Sequence, residues 1–193
     1  MSWLNLGAIV DATAAEGPGV RTAVWVQGCL KRCSSCCNPD FLKIKPANVI
    51  EVEQLKKRVE ANKKNFGIQG ITLLGGEPVL QANGLSELAQ FAQSIGLSVM
   101  LFTGYELEEL DESRFAGIAK LLNHVDVVVD GEFELKHVEQ NRNWVGSMNQ
   151  KFHYLTNRYD RSIESSLGTV TNEWRINAHG QVSANGLPFI VKV

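Results

Sequence analysis

The sequence has no cysteine outside the stretch from Cys29 to Cys37. Four thiols that close together cannot staple distant parts of a chain, which excludes a disulfide framework and leaves metal binding or redox chemistry. There is no excess of either charge: 19 Lys and Arg against 21 Asp and Glu give a formal −2, so neither nucleic acid nor an anionic membrane surface is expected as a partner. No apolar run approaches the roughly 18 residues of a membrane span. The N-terminus, MSWLNLGAIVDATAAEGPGV, has neither the basic region nor the sustained apolar region of a signal peptide, and a cytoplasmic location is expected. The four histidines, His124, His137, His153 and His179, stand at no ligand spacing from one another, so no catalytic residue is assigned among them. Internal repeats and low-complexity tracts are absent as well. A chain of 193 residues with 44% hydrophobic content suits one domain spanning 1–193.

What is present is an alternation of apolar runs with helical stretches. Residues 22–27 (TAVWVQ), 71–74 (ITLL), 99–102 (VMLF) and 125–129 (VDVVV) read as strands buried on both faces. Between them, Val52, Leu55 and Val59 mark one helical face, Leu85, Leu88, Ala92 and Ile95 a second, and Phe115, Ile118, Leu121 and Leu122 a third. Repeated strand, helix, strand order predicts an α/β fold with parallel pairing, either an open doubly wound sheet or a partial barrel. Both gather their chemistry at the C-terminal ends of the strands, and the cysteines, Gly75-Gly76 and Thr103-Gly104 all directly follow predicted strands. The acidic run Glu106, Glu108, Glu109, Asp111 and Glu112 is expected to open a helix on a solvated face. Residues 133–150 read as a long polar loop with room for one short helix. A C-terminal extension from about 151 to 193 closes with a small hairpin, Glu173 to Asn177 and Gln181 to Ala184 around an Ala-His-Gly turn.

Cys29-Leu-Lys-Arg-Cys33-Ser-Ser-Cys36 has the spacing C-x3-C-x2-C. A short loop of this kind can wrap three thiolates around one face of a cuboidal iron-sulfur cluster. It supplies three of four corners, so the remaining iron stays open to a small chelate. Cys37 is a poor fourth ligand, because adjacent side chains diverge along the backbone. A zinc site on all four cysteines remains the alternative at this point, although no second knuckle accompanies the first. Lys31 and Arg32 beside the thiols are expected to lower their pKa values. A second element, Gly75-Gly76-Glu77-Pro78, ends a predicted strand. Its glycines allow close backbone approach to a ligand, and its carboxylate can meet an ammonium.

The run GPGVRTAVWVQGC, the cysteine spacing, Asn38-Pro39 and the Gly-Gly-Glu-Pro element together resemble the radical S-adenosylmethionine (radical SAM) activating enzymes of glycyl-radical enzymes. Within these, the resemblance to the activators of anaerobic ribonucleotide reductase is closest. The segments MLFTGY, VDVVVDGEFE and WVGSMNQ follow in the same order, so the likeness covers about Gly17 to Gln150, with a Gly-Leu-Pro element near Pro188.

The resemblance implies a partial (β/α) barrel of radical SAM type. It implies a 4Fe-4S cluster on Cys29, Cys33 and Cys36, with S-adenosylmethionine chelating the open iron. Ser35, Cys36 and Cys37 are then expected beside the cofactor, together with Gly75, Gly76, Glu77 and Pro78, with Thr103, and with Asp130 of the Asp130-Gly131-Glu132 sequence. Reductive cleavage would give methionine and a 5′-deoxyadenosyl radical, which takes a hydrogen atom from a glycine of a partner enzyme. The implied partners are a glycyl-radical enzyme, anaerobic ribonucleotide reductase first, and an electron donor such as flavodoxin or ferredoxin. The polar loop 133–150 is expected at the mouth, where such a partner docks. Three features depart from the family pattern: Glu16 opens the Gly-Pro-Gly element, Ser35 stands where many radical SAM proteins carry an aromatic for adenine stacking, and Asp130-Gly131-Glu132 stands where related enzymes have Asp-x-Lys. Two alternatives are kept: a small-molecule radical SAM enzyme of the deazaguanine-forming type, and a non-catalytic zinc- or cluster-binding interaction module.

Overall fold

The structure is a computed structural model that describes residues 2–166 and 168–186. Pro188 of the Gly-Leu-Pro element lies outside these residues. A seven-stranded sheet runs through it. In chain order its strands are β1 (Trp3–Thr13), β2 (Arg21–Val26), β3 (Asn48–Glu51), β4 (Gly70–Gly75), β5 (Ser98–Phe102), β6 (Val127–Asp130) and β7 (Lys151–Tyr154), and in space they lie 3-1-2-4-5-6-7. The four strands foreseen from the apolar runs, β2, β4, β5 and β6, form the parallel centre. Antiparallel β1 and β3 flank one side and antiparallel β7 the other. β1 and β7 pair with the two edges that the parallel centre leaves open, and β3 pairs with β1 in turn.

Three helices cover one face: α1 (Val52–Phe66), α2 (Ala82–Ser94) and α3 (Ile118–Leu122). The predicted stripes are the buried ones, with Leu55 and Val59 of α1, Leu85 and Leu88 of α2, and Ile118 and Leu121 of α3 packed on Val24, Val26, Leu73, Leu101 and Val128 of the sheet. Strand residues of the opposite parity, Ala23, Trp25, Leu74, Met100, Val127 and Val129, pack on the other face, joined there by Trp144 and Val145. A doubly wound sheet has helices on both faces. Here all three share one, and the sheet is open, with β3 and β7 as its edges.

At the N-terminal ends of the central strands the side chain of Arg21 is fully buried. Its guanidinium donates to Thr72 Oγ1 at 2.7 Å, Ser98 Oγ at 2.8 Å, Ile71 O at 2.6 Å and Pro18 O at 3.1 Å. Neutral acceptors therefore satisfy the buried cation, and Gly70 leaves the room, since a Cβ there would meet Arg21 Nη1 at 2.4 Å. The charge is spent on holding three strand ends together, at the opposite end of the sheet from the cysteines.

The acidic run departs from expectation. Glu106 and Glu109 close a capping box around a single 3-10 turn, Leu107–Glu109, and α3 begins only at Ile118. Glu112 still reaches the start of that helix, accepting from Gly117 N at 2.6 Å and Ala119 N at 3.1 Å. Gly117 lies before the helix at φ 88°, a conformation that interrupts a continuous helical start.

The loop 131–150 contains the one short turn expected, Leu135–His137, and is tied to itself. Arg142 donates to Gln150 O at 2.8 Å and Met148 O at 3.2 Å, and the Gln150 side chain accepts from Gly146 N at 2.8 Å. The C-terminal hairpin forms as β8 (Asn172–Ile176) and β9 (Val182–Gly186) in antiparallel register. Asn177 makes its turn, the side-chain Oδ1 accepting from His179 N at 2.9 Å and Gln181 N at 3.0 Å. Among the described residues no helix is long and apolar enough to cross a membrane.

Candidate active site

β2 ends at Val26, and the chain leaves the sheet through Gly28 at φ 101°. It returns beside its own exit: Gly28 N donates to Phe41 O at 2.7 Å, Cys29 N to Leu42 O at 3.1 Å, and the Gln27 side chain to Lys43 O at 2.7 Å. These bonds close the cysteine loop at its base. Inside it Arg32 and Ser35 adopt left-handed backbone, φ 54° and 62°, which lets so short a segment curl back on itself. Cys29 is buried, Cys33 and Cys36 are half-buried, and Cys37 is exposed.

Lys31 does not serve the thiols. Its ammonium bonds Glu132 at 2.8 Å and Glu109 at 3.5 Å and lies 4.5 Å from the centre of the Tyr105 ring. The expected lowering of thiol pKa therefore fails for Cys33, whose thiol burial pushes up, with the carboxylate of Glu132 and the thiols of Cys29 and Cys36 adding to the effect. Three thiols carried on one short loop are a donor set that fits an iron-sulfur centre. Among the described residues no three His, Cys, Asp or Glu side chains converge on a single ion. A cluster does not require that convergence, because it spreads its thiolates over separate iron corners.

The Gly-Gly-Glu-Pro element follows β4 and packs directly on the base of the cysteine loop. Gly76 N donates to Val26 O and Glu77 N to Gly28 O, both at 2.8 Å. A Cβ on Gly76 would stand 2.4 Å from Gly28 O and 2.7 Å from Phe41 O, and Gly75, at φ 123°, would bring one within 2.4 Å of Val26 N. The pair thus serves an approach of backbone to backbone, in addition to lining the cleft. Glu77 is 1% exposed, and its carboxylate accepts from Thr103 Oγ1 at 2.8 Å, Gly104 N at 2.9 Å and Val79 N at 3.3 Å. It clasps the loop after β4 to the loop after β5. Burial outweighs these hydrogen bonds and pushes its pKa up to about 7.

One cleft joins these parts. It is lined by Cys36, Cys37 and Asn38, by Leu74, Gly75 and Gly76, and by Phe102, Thr103 and Gly104. Gly131, Phe133, Trp144, Gly146 and Gln150 also line it, as do Ala15, Glu16 and Gly186. Of the residues singled out from sequence, Cys36, Cys37, Gly75, Gly76 and Thr103 border the cleft, whereas Cys29, Cys33 and the exposed Ser35 are outside its lining and Glu77 and Pro78 are buried and outside it. Asp130 is likewise buried outside the lining. At 1% exposure it accepts from Leu107 N at 2.7 Å and pairs with His153 Nε2 at 2.8 Å, leaving Oδ1 without a partner. No local pattern signals the His153 contact, which depends on the pairing of β6 with β7.

The aromatic lining residues Phe102, Phe133 and Trp144 carry no local signal of a site. Two of these three lie in the loop 133–150, whose polar composition masks them. Glu16, noted only as a departure in the Gly-Pro-Gly element, is 7% exposed and borders the cleft. Burial raises its pKa to about 7 against the hydrogen bonds it accepts from Asn185 and from the backbone of Gly186.

Comparison with known proteins matches residues 15–153 to the family described as a 4Fe-4S single cluster domain. The anaerobic ribonucleoside-triphosphate reductase-activating protein of Vibrio cholerae is 33% identical over 160 residues, which covers 79% of this chain and 99% of that one. The protein of the same name from enterobacteria phage T4 is 30% identical over 152 residues, 77% of this chain and 92% of that one. The pyruvate formate-lyase-activating enzyme of Clostridium pasteurianum is 32% identical over 138 residues, 70% of this chain and 53% of that one. With such identity sustained along nearly the whole of two relatives, the chain belongs to the radical SAM activating enzymes, a family of 4Fe-4S single-cluster proteins.

Proposed function

We propose that this chain, acting as one domain, generates a glycyl radical on a partner enzyme, anaerobic ribonucleoside-triphosphate reductase. In this reading Cys29, Cys33 and Cys36 hold the 4Fe-4S cluster, S-adenosylmethionine occupies the adjoining cleft, and the open parallel sheet is the partial barrel of the radical SAM type. A flavodoxin or ferredoxin supplies the electron. The observation that carries the proposal is the meeting of Cys36, Gly75-Gly76 and Thr103 around one cleft, each at the C-terminal end of a parallel strand or in the loop after it.

A 4Fe-4S cluster held by Cys29, Cys33 and Cys36 would supply the electron for cleavage of a carbon-sulfur bond of S-adenosylmethionine. The chain's own work is to hold and to exclude. Backbone at Gly75 and Gly76 offers polar groups to the cofactor at short range because no side chain intervenes. Thr103 is fixed by its bond to Glu77, so the edge of the cleft keeps its shape when the ligand arrives. Phe102, Phe133 and Trp144 give an apolar wall that replaces the stacking surface missing at Ser35. That wall also keeps water and stray hydrogen donors from a radical. Hydrogen-atom abstraction needs no general base, consistent with His124, His137 and His179 lying outside the cleft lining and with His153 being taken by Asp130.

The test is anaerobic reconstitution with iron and sulfide, reduction, addition of S-adenosylmethionine and quantification of 5′-deoxyadenosine. A variant with Cys29, Cys33 and Cys36 all changed to Ala is run beside it. Product from the unmodified protein alone is the expected result. Iron-free protein after reconstitution, or stoichiometric zinc in place of iron, would overturn the reading.

A further inference from the structure

The hairpin β8–β9 lies beyond residue 153, where the family match ends, and it does not hang free. Its inward side chains are polar and bond the end of β1: Glu173 accepts from Ala14 N at 2.7 Å, and Arg175 donates to Ala12 O at 3.2 Å. Asn185 is the residue nearest the chemistry. Its Nδ2 donates to Thr13 Oγ1 and to Glu16 Oε1, both at 3.0 Å, and its Oδ1 accepts from Arg175 Nη1. Both amide hydrogens and the oxygen are thereby engaged, which leaves the side chain one orientation. The next residue, Gly186, borders the cleft together with Glu16. Only glycine fits there, since at φ 102° a Cβ would lie 2.1 Å from Thr171 O.

A glycine presents nothing for recognition except its main chain. A cleft that accepts a glycine-bearing strand therefore needs fixed acceptors and donors at its rim, and Glu16 is a buried acceptor in that position. We propose that the hairpin is the outer wall of the substrate cleft and that Asn185 is a positioning residue, holding Glu16 as the rim acceptor against which the partner's glycine-bearing strand enters. This rests on the function proposed above and deepens it: an extension outside the family match governs admission of the macromolecular substrate, separately from cleavage of S-adenosylmethionine.

Two full-length variants test it. Asn185→Ala removes the amide. Asn185→Asp keeps its shape but loses the Nδ2 donor and sets a second carboxylate beside Glu16. Each is reconstituted and assayed in two ways: 5′-deoxyadenosine formed without partner, and glycyl radical, read by electron paramagnetic resonance, against the concentration of the anaerobic ribonucleoside-triphosphate reductase from the same genome. Without Asn185 the Glu16 acceptor is no longer held in one place, and loss of the one hydrogen bond it offers the entering strand is expected to raise the KM for that partner about tenfold in both variants. The kcat and the partner-free deoxyadenosine should stay within about twofold. A partner KM unchanged in Asn185→Ala, an Asn185→Asp variant that behaves as the unmodified protein, or a parallel fall in deoxyadenosine would each overturn the inference. Failure of the underlying function looks different: the unmodified protein itself would then form no deoxyadenosine, and the inference would fall with it.

Discussion

Replacing Glu77 with Gln isolates a buried charge at the junction of the two loops that shape the cleft. The carboxyl is 1% exposed and accepts three hydrogen bonds, yet burial dominates and raises its pKa from 4.5 to about 7. A carboxyl whose folded pKa stands above its unfolded value contributes stability that is fully present in acid and is lost as pH rises through the folded pKa. With those two values, the loss between about pH 6 and about pH 8 comes to roughly 1 kcal/mol. The Glu77→Gln variant has no titrating group at this site and loses nothing there. Glu16, also raised to about 7, titrates in both proteins and cancels from the comparison. Urea unfolding under anaerobic conditions, followed by far-ultraviolet circular dichroism at the two pH values, gives the double difference. The unmodified protein should lose roughly 1 kcal/mol more than the variant on going to the higher pH. Equal losses would refute the claim that Glu77 is held against its ionisation by burial, and an excess loss in the variant would reverse the sign of the argument.

Two further substitutions probe the framework. Gly76→Ala would drive a methyl group into the backbone carbonyls of Gly28 and Phe41, which cannot swing aside. A destabilisation of about 1 to 3 kcal/mol is expected, with a lower iron content per chain after reconstitution, and normal iron content would show that the cysteine loop does not depend on this contact. Arg21→Lys removes the planar fork that reaches Thr72, Ser98, Ile71 and Pro18. Unfolding should become easier by about 2 to 4 kcal/mol while the iron content of the folded fraction is unchanged.

The parallel centre of the sheet was legible because β2, β4, β5 and β6 are buried on both faces, and continuous apolar runs betray that condition directly. The helical stripes were legible because one face of each helix is buried, which repeats an apolar residue every three or four positions. β1, β3 and β7 were not, since most of their residues are partly buried or exposed and the apolar signal fades. The acidic run predicts the start of a helix because carboxylates favour helix N-termini. Gly117 moves that start several residues onward, and only Glu112 reaches it.

At the site, the sequence by itself carried the features on which the proposed ligand set and chemistry rest: thiol spacing and paired glycines are local properties, set by how far a short loop can reach and by which residues leave room for backbone. Tertiary structure alone decided the rest. It turned Glu77 inward to Thr103 and Gly104, engaged Lys31 with Glu132 instead of the thiols, paired Asp130 with His153, and brought Phe133, Trp144, Glu16 and Asn185 to the neighbourhood of Cys36. Asn185 and Glu16 are 169 positions apart in the chain. No local pattern encodes a contact between them, because it exists only once the hairpin has folded and its polar face has found the end of β1.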